Sequence, residues 1–144
     1  MKASPDAHAA WVNSVDAKFS GKVKPLIRLA KAWKYYCGVP IRSFYLEIRV
    51  AQYALTQATI INKWDMRGLL SYLNSNLASA ATDPTGLPDP VYVCFTHELS
   101  DVQQKINAGY AAANFALVEE QAGRMANAFT YWGKVFGGQF PAYY

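Results

Sequence analysis

Apolar side chains recur at spacings of three and four residues along almost all of this 144-residue chain, which is typical of helices with one buried face. The clearest example begins at Val23. In a helical projection, one face of this segment carries Lys24, Arg28, Lys31 and Tyr35, which we call the basic face. Apolar residues cover the remaining surface. The segment therefore predicts a helix that packs its broad side into a core and exposes the basic face.

The same pattern, with its caps and breaks, predicts the other elements. Gly38 and Pro40 end the helix that carries the basic face, and Ser43 is placed to cap the next helix, which begins at Phe44. The predicted helices cover residues 5–19, 23–37, 44–58, 62–77, 96–121 and 125–136. A long loop is expected at residues 81–90. Because strand signals are weak throughout, the sequence predicts an all-α fold, a single bundle of about six helices.

Positive charge is concentrated in one part of the sequence. The formal net charge is only +4, but eight of the fourteen Lys and Arg residues lie within residues 18–49. That window contains a single acidic residue, Glu47, so its local charge is +7. A concentration of this kind favours an anionic partner, although ordinary solvated helix faces explain it equally well. Charge alone leaves both interpretations open.

The sequence lacks the residue patterns that mark several classes of catalytic and metal-binding sites. His8 and His97 have no second histidine four positions away, and the sequence contains no nucleophile elbow, no Walker loop and no Asp-x-Asp pair. Cys37 and Cys94 are far apart and outside any CxxC motif, so we expect reduced thiols and no metal site. No apolar run approaches membrane-span length, and no signal-peptide core is present. These features predict a cytoplasmic chain without catalytic residues of its own.

The candidate binding residues lie around the start of the third predicted helix. A helix N-terminus beside cationic side chains favours phosphate, because free backbone N–H groups and ammonium groups converge there. Lys31 is the central cation of the basic face, Arg28 lies on the same face, and Arg42 directly precedes Ser43. Ser43 fits a helix cap and also a phosphate ligand. Phe44 fits a core position and also a ring on which a nucleobase stacks.

Residues 26–47 also match a known pattern. The pattern is a helix with the motif L-x-x-L-x-K-x-W, then a turn, then Ser-aromatic-x-Leu-Glu at the start of the next helix. In this sequence the matching residues are Leu26, Leu29, Lys31, Trp33, Ser43, Phe44, Leu46 and Glu47. Pro5-x-x-His8, Asp83-Pro84-x-Gly86 and the closing Trp132…Phe136-Gly137…Phe140-Pro141 add further matches. In this order the motifs resemble the C-terminal helical domain of the oligoadenylate synthetase and cyclic GMP-AMP synthase-like nucleotidyltransferases, including the bacterial CD-NTases of anti-phage signalling.

The resemblance implies a partner domain and a set of ligands. In that family an N-terminal domain with a Gly-Ser loop and an Asp-x-Asp pair holds two magnesium ions and the nucleoside triphosphate, and the helical domain closes the cleft. Lys31 would contact phosphate, Ser43 phosphate or base, and Phe44 would stack on a base. This sequence contains neither catalytic motif. Residues 1–144 are therefore predicted to be the helical domain alone, without catalytic activity. This chain is expected to bind no cofactor itself, and the magnesium ions are implied for the complete enzyme.

The predicted partners follow from the same resemblance. They are nucleoside triphosphates of the ATP or GTP type, the missing catalytic domain and an RNA or protein activator, in an enzyme that makes cyclic or linear oligonucleotide second messengers. No membrane partner is expected. The alternative is a freestanding helical interaction module whose basic face binds RNA or an acidic partner protein. Strong, salt-dependent RNA binding without nucleotide preference would favour that alternative.

Overall fold

The computed structural model describes residues 5–76 and 92–138, and within them every regular element is helical. The helices are α1 (Pro5–Lys18), α2 (Val23–Tyr36), α3 (Ser43–Leu55), α4 (Asn62–Asn76), α5 (Leu99–Gln121) and α6 (Met125–Val135). A short 3-10 helix, Thr96–Glu98, leads into α5. The prediction of an all-α bundle of about six helices is confirmed. The predicted loop at 81–90 and the motif residues Asp83, Pro84, Gly86, Phe140 and Pro141 lie outside the described residues.

The helices share one apolar core. The long helix α5 packs along both α4 and α6, and α3 packs against α1 and α2. The largest fully buried side chains come from several of these helices and include Trp33, Tyr45, Leu46, Leu70 and Ile106. In the described part of the chain, no helix is long and apolar enough to cross a membrane.

The two ends of α2 are fixed by contacts of different kinds. At its start, the Asp16 carboxylate accepts hydrogen bonds from the backbone N–H groups of Val23 and Lys24, at 3.0 and 2.9 Å. This carboxylate satisfies two of the free N–H groups of the first turn and complements the helix dipole. At the other end, Gly38 adopts φ +61° and the Val39 N–H donates to the Lys34 carbonyl. A glycine in this conformation ends a helix as the sequence predicted.

The start of α3 differs from its prediction. Ser43 is the first residue of the helix and does not cap it; Arg42 occupies the cap position in extended conformation, without a side-chain cap hydrogen bond. The Arg42 N–H instead donates to the Val93 carbonyl at 2.8 Å. This contact from a distant segment sets where the extended chain turns into helix. The first-turn amides of α3 are thus left without a side-chain cap.

The end of α3 also comes earlier than predicted, at Leu55 and not at residue 58. The Thr56 hydroxyl donates to the Tyr53 carbonyl at 2.6 Å, and the Thr56 N–H donates to the same carbonyl at 2.9 Å. A side-chain hydrogen bond of this kind competes with continuation of the helix. The remaining boundaries agree with the sequence to within a few residues, apart from the 3-10 start before α5.

Candidate functional site

The basic face of α2 is directed partly toward α3. The Lys31 ammonium lies 3.4 Å from the Glu47 carboxylate, and both side chains retain solvent access, with exposed fractions of 43% and 26%. Ser43 lies four residues before Glu47, one turn earlier on the same helix face. Lys31 therefore contacts the face of α3 on which Ser43 also lies, one turn after Ser43.

Phe44 lies at the border between core and surface. Its ring is half-buried, packs against the core and lies 4.5 Å, centroid to centroid, from the His8 ring of α1, with the two planes tilted by 45°. His8 therefore covers one side of the phenyl ring. Any base that stacks on Phe44 would approach from another side, and the His8 contact would hold the ring in place for it.

Histidine and glutamate complete this cluster. The Nε2 atom of His8 lies 3.8 Å from the same Glu47 oxygen that faces Lys31. Neither ring nitrogen of His8 has a hydrogen-bond partner within the described residues, although only 12% of the side chain is exposed. Lys31, Glu47, His8 and Phe44 thus bring together α1, α2 and α3, and we call these four residues the α1–α3 cluster.

Neither of the two arginines predicted to bind, Arg28 and Arg42, makes a recorded contact with the four residues of this cluster. The Arg42 guanidinium lies over the Phe95 ring at 4.8 Å, and Phe95 stacks on His97 with an angle of 7° between the planes. Arg42 is exposed, and its guanidinium contacts the segment before α5. Arg28 is exposed on α2. The structure thus connects Lys31 to Phe44 through Glu47 and His8, and it places the Arg42 guanidinium over Phe95.

One cation counted in the charged stretch is not available to a partner. Arg49 is only 6% exposed, and its Nε donates to the Tyr45 hydroxyl at 3.0 Å while an Nη1 donates to Gln52 at 3.1 Å. Its guanidinium also lies over the Tyr45 ring. The positively charged surface is therefore smaller than the sequence count indicates, because this arginine belongs to the packing of α3.

Sequence reasoning assigned no role to Glu47 or His8, although both are in the matched motifs. One signal was present in the sequence. Glu47 is the single acid among residues 18–49, and a lone carboxylate in a cationic stretch is expected to lie beside a cation. The contact between His8 and Phe44 had no comparable signal, because it depends on how α1 crosses α3.

The α1–α3 cluster and the first turn of α3 together present an ammonium group, backbone N–H groups, a carboxylate and an aromatic ring. An ammonium group and uncapped helix amides are donors for phosphate oxygens, and an aromatic ring at the surface offers a stacking face. Glu47 adds a carboxylate that orients the ammonium group and repels an incoming anion. In the parts of the chain that the structure describes, no three His, Cys, Asp or Glu side chains group closely enough to hold a metal ion.

Comparison with known proteins finds a similarity that extends over almost the whole chain. No family model matches this chain. The chain is similar to a protein of Bacillus cereus (strain VD146) named as a probable cyclic nucleotide synthase, with 24% identity over 143 residues. The alignment covers 99% of this chain and 43% of the Bacillus protein. This chain therefore spans less than half the length of the relative that it matches.

Proposed function

We propose that this chain forms the helical wall of a nucleotide-binding cleft in a CD-NTase-like nucleotidyltransferase that makes cyclic or linear oligonucleotide second messengers. The distant similarity to a probable cyclic nucleotide synthase, which extends over nearly the whole chain, supports the class of enzyme. The observation that carries the site is the approach of Lys31 to α3, where its ammonium lies 3.4 Å from Glu47. Anti-phage signalling is the cellular role that we propose with it.

In this proposal the cluster binds and orients the nucleotide. Lys31 and the first-turn amides of α3 at Ser43 hold the triphosphate, and Phe44 stacks on the base. Positioning of this kind lowers the entropy cost of reaction without any proton transfer by the wall itself. Arg28 provides long-range attraction for the anion from the exposed basic face.

The reacting groups would be supplied by a separate catalytic domain. This sequence contains no Gly-Ser pair and no Asp-x-Asp pair, and magnesium would be held by that domain, where it would stabilise charge on the transferred phosphate. The residues of this chain bind phosphate and base and exclude water from one side of the cleft. They do not themselves activate the attacking hydroxyl.

The test is a binding titration of this chain with ATP, GTP and a short single-stranded RNA at two salt concentrations. We expect ATP or GTP to perturb the amide resonances of Lys31, Ser43 and Phe44 first. RNA binding that is stronger than nucleotide binding, steeply salt-dependent and centred on Lys24 and Arg28 would support the freestanding interaction module instead. If neither nucleotide perturbs residues 43–47, the cluster is not a nucleotide site.

A further inference from the structure

A pocket lies on the opposite side of α2 from the α1–α3 cluster. Trp33, Cys37, Gly109 and Val135 line a pocket of about 290 Å³ between α2, α5 and α6, and the ammonium-bearing side chains of Lys105 and Lys134 complete its lining. This volume is at the lower end of the range of about 300–1,000 Å³ for small-molecule sites. Trp33 and Lys31 are two residues apart on α2, about 200° around the helix. The pocket is therefore separate from the α1–α3 cluster.

The floor of the pocket is apolar and fixed. Trp33 is fully buried, and its indole Nε1 would lie 3.1 Å from a Cβ built on Gly109. The absence of a side chain at Gly109 thus lets the indole ring lie against the backbone of α5. Ala108 and Ala112 extend the same wall with small side chains. A surface of this composition favours a compact apolar group and offers it few hydrogen bonds.

The charges around the pocket leave one surplus cation. Lys105 donates to the Asp101 carboxylate and to the Gly38 carbonyl, at 3.0 Å each. Lys134 is exposed, lies 5.1 Å from the Tyr131 ring centroid and lines the pocket. Among the described lining residues none is acidic. Asp101 offsets one of the two lysines, which leaves Lys134 to meet an anion.

The carbonyl and thiol groups of the pocket do not oppose an anion strongly. The Gly38 carbonyl is already bonded by Lys105, and the Val135 carbonyl accepts the Cys37 S–H at 3.2 Å. Burial raises the pKa of the Cys37 thiol, which keeps it protonated and neutral. These two carbonyls thus have donors, and the sulfur adds no negative charge.

We infer that this pocket binds a small organic carboxylate with an apolar body, the body resting on Trp33 and Gly109 and the carboxylate meeting Lys134. Apolar walls with one convergent cation are the usual composition of a site for such a ligand. The inference is independent of the proposed function, because it uses a different face of α2 and no nucleotide.

The probe is 2-naphthoate, compared with the neutral 2-naphthamide, in a titration of this chain followed by amide chemical shifts and calorimetry. We expect naphthoate to perturb Gly109 and Val135 and to bind more tightly than the amide. Replacing Lys134→Gln should lower the affinity for naphthoate about fivefold, the size of one exposed charge pair, and should leave the amide unaffected. Lys24→Gln, which removes an equal charge from the basic face, should change neither.

A pocket-filling variant tests the position of the body. Ala108 is exposed on α5 and lines the pocket, so Ala108→Leu fills it at a helix position that tolerates leucine. We expect the melting temperature of this variant to be unchanged. Its affinity for naphthoate should fall at least tenfold, because the leucine side chain occupies the volume that the ligand would fill. Equal binding of the acid and the amide, undiminished binding by Ala108→Leu, or shifts centred away from Gly109 would each overturn the inference.

Discussion

The Glu47 carboxylate lies 3.4 Å from the Lys31 ammonium and orients this cation of α2 toward α3. The same carboxylate oxygen lies 3.8 Å from His8. Glu47 therefore joins α1, α2 and α3 at the point where the proposed cleft begins. Because an exposed ion pair contributes only about 0.2–1 kcal/mol to stability, the contact is better understood as orientation of Lys31 than as support for the fold.

Lys31→Gln should weaken ATP or GTP binding to this chain by about 10- to 150-fold, because it removes a charged hydrogen-bond donor to phosphate, worth about 1.5–3 kcal/mol. Calorimetry at low salt measures the change. Lys24→Gln is the matched control, since Lys24 is an exposed lysine of the same helix. An equal loss in both variants would indicate general attraction by the basic face and no specific contact by Lys31.

Glu47→Gln should bind ATP about two- to fivefold more tightly at low salt. The substitution removes a negative charge beside the bound phosphates and releases Lys31, and the gain should shrink as salt screens the site. Glu119→Gln on α5, where the carboxylate pairs with Arg124, is the control and should leave the affinity unchanged. Weaker binding by Glu47→Gln would mean that orientation of Lys31 outweighs the repulsion.

Phe44→Leu should lower nucleotide affinity by about 1–3 kcal/mol, the range for one base–aromatic stack, with little loss of stability because leucine retains most of the apolar contact. Binding of inorganic triphosphate, which has no base to stack, should not change. If affinity for triphosphate falls as much as affinity for ATP, the phenyl ring acts through packing and not through stacking.

Replacing either of two helical glycines with alanine should change the stability of the fold, in opposite directions at the two positions. Gly133 in α6 has no neighbour within 4 Å of an added Cβ, so Gly133→Ala should stabilise the fold by up to about 1 kcal/mol through helix propensity. In α4, a Cβ at Gly68 would overlap the Tyr53 hydroxyl. Gly68→Ala should therefore destabilise by about 1–3 kcal/mol, since the displaced hydroxyl loses its buried hydrogen bond.

Urea unfolding of both glycine variants measures these changes. The comparison is internally controlled, because the two substitutions gain the same propensity and differ only in what the new methyl group meets. Stabilisation by Gly68→Ala would show that the Tyr53 side chain moves aside without cost.

Stability should fall in alkaline solution because of Tyr53. Its hydroxyl donates to the buried Asp65 carboxylate at 2.6 Å, and burial first, then this hydrogen bond, raises the pKa of the Tyr53 phenol. The unfolded chain releases this proton near its ordinary pKa of about 10, whereas the folded chain retains it. Stabilisation by this proton is complete below about pH 10 and is lost as the pH rises toward the folded-state pKa.

Unfolding free energies measured by urea between pH 8 and 11 test this dependence. In Tyr53→Phe the decline above pH 10 should be shallower than in the parent chain. Tyr35→Phe is the matched control, since Tyr35 is 80% exposed, and its profile should follow that of the parent. Parallel profiles for Tyr53→Phe and the parent would contradict the role of Tyr53.

The sequence determined the helical class, the approximate element boundaries and the basic face of α2. These properties arise from local periodicity, from glycine in a left-handed conformation at Gly38 and from the side chains that a single helix presents together. For the same reason, the exposed positions of Lys24, Arg28 and Tyr35 could be predicted without knowing any neighbour. The roles of Lys31, Ser43 and Phe44 in binding stay predictions.

Only the tertiary structure decided which charged groups meet. It buried Arg49 against Tyr45, placed Asp16 over the start of α2, set Lys31 beside Glu47 and His8 beside Phe44, and left Ser43 as a helical residue after an arginine held by Val93. Each of these contacts joins residues from different turns or helices or depends on burial. Helical periodicity predicts that Tyr45 and Arg49, four residues apart, are neighbours. It carries no information about which elements pack together, and that packing decides the burial of Arg49 and the other partners named here.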